Sequence, residues 1–135
     1  MSLLPFSVSS QSPAATLAAC VFATIHTAFG INAIIRPTHA LTFFEFKPPA
    51  EKGARDMVNS LMAVYGVRDI FMGAAMYATA LLGSPQALGW ILISATGVAI
   101  ADGLVCYSYG KGQWGHWSHA PIFTAVGLVL LGLFD

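Results

Sequence analysis

Tyr65-Gly66-Val67-Arg68-Asp69 sets a guanidinium and a carboxylate side by side in a stretch that otherwise has the character of a membrane helix. From Met57 to Leu82 the other strongly polar residues are Asn59, Ser60, Tyr65, Tyr77 and Thr79. On insertion scales an Arg and an Asp at a helix centre each cost about 2.5–3.5 kcal/mol. The strongly apolar residues here are Val58, Leu61, Val64, Val67, Ile70, Phe71, Leu81 and Leu82, and they offset only about 2–5 kcal/mol of that cost. Such a helix is marginal alone. Its charges call for shelter among other helices, with partners or a wet cavity around them.

The composition agrees with a membrane setting. The chain has 135 residues, enough for one domain. It is 56% hydrophobic and 9% charged, against about 25% charged in soluble domains, and its mean hydropathy is +0.70. Formal net charge is zero, so bulk electrostatics offer nothing to nucleic acid. Cys20 and Cys106 form no CxxC, haem-attachment or zinc pattern, which argues against thiol-redox chemistry. The N-terminus lacks the positive region of a signal peptide.

These patterns predict an all-α fold, a four-helix transmembrane bundle with antiparallel neighbours. Residues 1–13, rich in Ser and Pro, read as a flexible tail, and 14–135 as a single four-span domain. The spans fall at about 14–35, 57–82, 87–107 and 119–134. Arg36-Pro37 ends the first span. Leu41 to Phe46 is too short to cross and suits the membrane interface, and Lys47-Pro48-Pro49 breaks any helix there. Asp56 stands at the start of the second span, where a carboxylate suits the dipole. Gly83-Ser84-Pro85-Gln86 is a tight turn that brings the third span back beside the second. Trp114 and Trp117 read as interface anchors. Pro121 falls in the first turn of the fourth span.

Four spans put both termini on one side. Arg36, Lys47, Lys52, Arg55 and Lys111 all lie in the two loops on the other side. The positive-inside rule makes those long loops cytoplasmic and the termini lumenal or external. Cys20 and Cys106 then sit near opposite ends of the bundle, too far apart for a disulfide.

A third buried charge, Asp102, stands on the third span. Helical side chains lean toward the N-terminus of their helix. On antiparallel neighbours Arg68 and Asp102 therefore lean toward each other and are expected to pair. Asp69 sits about 100° around from Arg68, on the face of Tyr65. His26 belongs at similar depth on the first span. Asn32, Asn59, Tyr107, His116 and His119 are expected to ring the cytoplasmic end, so that a polar funnel leads from the cytoplasm to Arg68. Ala95, Ala99 and Gly103 form a small-xxx-small row suited to close packing, and Gly66, Gly73 and Ala74 offer the same on the second span.

Each feature has a structural alternative. Arg68, Asp69 and Asp102 suit an acid–base site, but ion pairs also serve to lock helix register. His116 and His119 at i and i+3 lack a third ligand nearby, so no metal is expected. His26 also fits a hydrogen-bonded helix histidine. No phosphate loop, dinucleotide fingerprint or nucleophile–base pair appears, and no cofactor is expected.

The Tyr65–Asp69 motif, the later Ala101-Asp102-Gly103 and the four short spans resemble a family of small fungal membrane proteins catalogued as a domain of unknown function, DUF4267. The likeness covers roughly Ala14 to Phe134. It implies a secondary-metabolite pathway, an endoplasmic-reticulum membrane and a lipophilic small-molecule substrate or an enzyme partner. It carries no catalytic assignment, so the site residues rest on the charge argument.

Two functions are expected from this. One is a cofactor-independent isomerase, cyclase or lyase acting on a lipophilic substrate. In it Arg68, Asp69, Asp102 and His26 would be catalytic, and Tyr65, Asn32, Asn59, Tyr107, His116 and His119 would line the substrate site. The other is a non-catalytic accessory subunit docking on a membrane oxygenase such as a cytochrome P450, or on a second copy of itself. A small transporter is a third, disfavoured by the few polar groups in the lumenal half.

Overall fold

A computed structural model describes residues 9–135. The described residues contain six α-helices and one 3-10 turn, with no strand among them: α1 (Pro13–Ile35), α2 (Pro37–Leu41), the 3-10 turn Thr42–Phe44, α3 (Lys52–Leu82), α4 (Pro85–Ser108), α5 (Trp114–Trp117) and α6 (Ala120–Leu130). The all-helical class stands. Two helices, α1 and α4, are long and apolar enough to cross a membrane, with mean hydropathy 1.7 and 1.8.

Local chemistry explains where the helices depart from the expected spans. α3 begins at Lys52, because Glu51 caps it: its carboxylate accepts from Gly53 N–H at 2.7 Å and Ala54 N–H at 2.6 Å. Those bonds hold the Glu51 carboxyl below its ordinary range. Asp56, expected at the helix start, instead pairs with Lys52 one turn earlier at 2.9 Å. Pro37 ends α1 and also opens α2, since its missing N–H costs nothing at a first helical position. The fourth helix is shorter than 119–134. Gly132 (φ 81) turns left-handed and donates to Val129 O, while Leu133 donates to Leu128 O. That paired arrangement is a Schellman cap, which only glycine adopts without strain. α6 keeps 11 residues, about 16 Å, less than a bilayer core.

Two close helix pairs make the body of the fold. A Cβ placed on Gly30 would lie 2.5 Å from Gly66 O, and one on Gly73 would lie 2.7 Å from Ala23 O. The contacts run 30 to 66 and 23 to 73, so α1 and α3 are antiparallel and touch backbone to backbone. α4 and α6 do the same, with a Cβ on Gly89 2.9 Å from Gly127 O. Gly66 and Gly73 do serve close packing, with α1; Ala74 is exposed and does not. The α3–α4 hairpin, joined by the short turn at 83–84, is the looser pair. Ala95 is buried in the core beside Phe123, and it and Ala99 also border open space. Their small side chains leave room, and a cavity lies against them.

A dry core fills the end nearest the chain termini, built from Ala19, Ala23, Met76, Leu88, Leu92 and Leu130, with Phe22 edge-on to Phe123 at 4.7 Å. Of the expected tail, residues 1–8 lie outside the described residues. Ser10 is buried, and its N–H and hydroxyl each donate to the Asp135 carboxylate at 2.6 Å. The two ends of the described chain thus meet. At the opposite end, Ala33, Ala40, Leu41 and Met62 form a second, smaller core under the loops.

Candidate functional site

Arg68 and Asp102 meet across the loose α3–α4 gap. Nη1 donates to Asp102 Oδ1 at 3.0 Å and Nη2 to Oδ2 at 2.8 Å, a two-point fork. The guanidinium also turns its other edge to Asp69, whose Oδ1 accepts from Nε and Nη2 at 3.3 Å each. Asp69 sits about 100° around the helix from Arg68, and the length of the arginine side chain spans that step. Four hydrogen bonds engage four of the five guanidinium N–H groups, and one on Nη1 is left over. The Tyr65 ring lies against the guanidinium, 4.4 Å from Cζ to its centroid. Side-chain exposure falls from 36% for Arg68 through 18% for Asp102 to 5% for Asp69. One cation serves two carboxylates, so the cluster carries either a net negative charge or a bound proton.

These groups form one wall of a cavity of about 280 Å³. His26, His116 and His119 stand on the other walls, from α1, α5 and the start of α6. His26 Nδ1 lies 2.9 Å from Phe22 O. That carbonyl can only accept, so Nδ1 carries a proton and donates, which leaves Nε2 as the ring nitrogen without a bond to the helix. His116 packs its ring on Phe44, with centroids 4.8 Å apart, and its Nε2 is buried without a partner. Burial pushes the His116 imidazole below its ordinary range. His119 is exposed at the rim. The remaining lining is apolar, with Ile25, Phe29, Phe43, Val98 and Phe123 prominent.

Of the ten residues expected at the site, seven line this cavity: Tyr65, Arg68, Asp69, Asp102, His26, His116 and His119. Asn32, Asn59 and Tyr107 do not. Asn32 Oδ1 faces His39 Nδ1 at 3.1 Å, and its Nδ2 is buried without a partner. Tyr107 is 61% exposed and stacks on Trp117, with centroids 5.9 Å apart. Asn59 is half-buried away from the cavity. The polar funnel is replaced by a roof, since α2, the 3-10 turn and α5 fold over the end it would have opened through. Ala40, Phe43 and Gly115 bring that roof to the cavity. Trp117 helps to hold it. The indole lies on Gly103, and its N–H donates to Ile100 O at 3.3 Å. Trp114, by contrast, is 70% exposed.

The cavity residues missed in the sequence are apolar, and they come from Phe29 and Phe43 above all. Their rings meet at 5.0 Å. The aromatic run at 43–46 is visible in the sequence, but its folding back over α1 is not. Among the described residues, no three His, Cys, Asp or Glu gather as a metal would need. Cys20 and Cys106 are both free. In the terminal half, polar side chains bond within the bundle. Thr24 meets Tyr77, Thr96 meets Thr124 at 3.2 Å, and Ser94 donates to Trp90 O at 2.9 Å.

A family model described as "Domain of unknown function (DUF4267)" matches residues 23–130, a span that includes every residue of the cavity. No curated protein and no solved structure matches the chain.

Proposed function

This chain belongs to the DUF4267 family, and we propose that it is a membrane-embedded, cofactor-independent enzyme that moves a proton within a lipophilic substrate. One observation carries this reading: two carboxylates share one guanidinium on the wall of a cavity that also presents the His26 ring. A fold lock needs one carboxylate for one guanidinium. The second, Asp69, is the most buried of the three groups and is the natural proton acceptor.

In an isomerisation, a substrate carbonyl oxygen accepts the free Nη1 hydrogen of Arg68. Asp69 removes a proton from the adjacent carbon. The C–H electron pair becomes a C=C bond, and the carbonyl oxygen takes the negative charge, which Arg68 stabilises. In a β,γ-unsaturated ketone the enolate extends through the second double bond, so the proton returns, from Asp69 or through His26, to the γ-carbon, the carbonyl C=O re-forms and the C=C shifts into conjugation, with no atom or electron gained. Tyr65 and Asp102 act as positioning residues that fix the guanidinium. The same parts serve a cyclisation in which the enolate carbon adds to a second carbonyl carbon of the same molecule, whose C=O π pair moves to oxygen and takes up the proton held by Asp69.

The setting we propose is that implied by the motif: a fungal secondary-metabolite pathway in the endoplasmic-reticulum membrane. The bundle spans with α1, α3 and α4, and α6 completes it. Its long loops face the cytoplasm. A glycosylation acceptor near Ser9 is then modified in microsomes and one near Gly53 is not. The function is tested by product analysis, with the purified protein and candidate pathway intermediates, with and without a partner oxygenase. Conversion by the protein alone supports the enzyme.

The accessory reading has one observation of its own. Tyr107, Tyr109 and Trp114 are 61%, 72% and 70% exposed at the loop end, an aromatic surface suited to a membrane partner. Conversion only in the presence of the oxygenase, unchanged by substitution of Asp69, supports that reading instead.

A further inference from the structure

A residue that lines a cavity and is also exposed marks its mouth. Ile25, Phe29 and Phe43 are 41%, 40% and 41% exposed, and all three face the cavity. They lie on the α1 side, and His119 at the start of α6 stands exposed at the same rim. α1 and α6 touch sparingly, which leaves that side open. Ile25 is near the middle of α1, a helix long and apolar enough to cross a membrane. The mouth therefore runs along the α1 side, from Ile25 at mid-helix up to Phe43 and the exposed Gly115 at the edge of the roof. The cavity, at about 280 Å³, is also at the small end of ligand sites, which run to roughly 300–1,000 Å³. A larger molecule leaves part of itself in the mouth.

The polar wall sets what enters. Arg68 has four N–H groups engaged by Asp69 and Asp102. The single one left, on Nη1, is too few for a two-point grip on a carboxylate, and Asp69 repels such a group. The free Nη1 hydrogen suits a single acceptor oxygen. We infer that the cavity is loaded from the apolar phase of the bilayer, through the Ile25–Phe29–Phe43 mouth, by an uncharged lipophilic ketone, and that it rejects the matching carboxylic acid. This rests on the reading of Asp69 and Arg68 as the reacting wall. It makes Asp69 the residue that selects by charge.

The test uses the full chain in lipid nanodiscs and three photoreactive probes of equal chain length. These are diazirine-bearing forms of 2-dodecanone, dodecanoate and dodecylammonium, at pH 8. The ketone probe is expected to label α1 between Ile25 and Phe29 and the roof at Phe43, and unlabelled 2-dodecanone competes. Dodecanoate labels these positions at least about tenfold less, the cost of setting like charges together. In Asp69→Asn its labelling rises toward that of the ketone. Ile25→Trp, which fills the mouth, lowers ketone labelling severalfold. Equal or stronger labelling by dodecanoate or dodecylammonium in the native protein overturns the inferred ligand class and leaves the cavity as a binding site. Unchanged ketone labelling in a folded Ile25→Trp overturns the lateral entrance. If no probe labels the cavity, the inference and the proposed function fall together. The comparison of probes needs no variant, so a misfolded Ile25→Trp does not block it.

Discussion

Removing Arg68 strands two carboxylates at once. Arg68→Met leaves Asp69, 5% exposed, and Asp102, 18% exposed, without a cation. Breaking a buried pair from one side costs about 3–5 kcal/mol. The 36% exposure of Arg68 puts this case at the low end, about 3 kcal/mol. Asp102→Leu is milder, about 2 kcal/mol, because the guanidinium keeps its two 3.3 Å bonds to Asp69. The two bonds lost, at 2.8 and 3.0 Å, are the shorter ones. A simple pair would be rescued by the double substitution. Here the double leaves Asp69 alone and recovers only part of the loss. The triple, Arg68→Met with Asp102→Leu and Asp69→Asn, is expected within about 1 kcal/mol of the native protein, as apolar replacement of a whole buried ionic cluster often is. Equilibrium unfolding in mixed micelles measures all of these. A loss under about 1 kcal/mol for Arg68→Met alone, or a triple as unstable as the sum of the singles, refutes the shared-guanidinium account.

Other consequences are as direct. Gly103→Ala puts a methyl group into the Trp117 indole, so the roof loosens, and tryptophan emission should shift red while helix content holds. His116 is held neutral by burial, so its contribution to stability is whole above its unfolded value of 6.5 and is lost as pH falls from 6.5 toward the lower folded value. Amide protection factors across 113–118, corrected for intrinsic exchange, should fall as pH is lowered from 7.5 to 5.5, and His116→Phe should flatten that response. Hydrogen bonds from Ser10 hold the Asp135 carboxyl below its ordinary 3.8, so this clip persists above pH 3.8 and is lost as pH falls through the lower folded value. Ser10→Ala should expose the N-terminal segment to protease at neutral pH without affecting the cavity.

Some of this architecture was legible in the residues and some was not. The Arg68–Asp102 pair follows from where the charges fall and which way helical side chains lean. Asp69 is placed beside them as a second carboxylate by the sequence too, but the two bonds it accepts depend on one arginine rotamer. Gly132 is a helix stop that the apolar run through Phe134 conceals. Glu51 is a helix start hidden by the acidic residue five positions on. Gly30 lies opposite Gly66 only once α1 and α3 are known to touch, and no local pattern says which helices pair. The roof was the largest surprise. Pro37 and the aromatic run at 43–46 signal a turn and an interface, but folding back over the cavity is a tertiary decision. It changed the site from an open funnel with Asn32, Asn59 and Tyr107 at its rim to a closed chamber with an apolar side mouth.

The central claim is that Asp69 moves a proton, and one measurement addresses it. Asp69→Asn keeps the shape of the side chain and can still accept from Arg68, so folded protein should remain near the native level. Turnover of the substrate by microsomes, normalised to folded protein, should fall by about 10²–10⁴-fold, the worth of a positioned proton-transfer group. Full turnover from a well-folded Asp69→Asn would contradict the account and leave the charges as a lock on the fold.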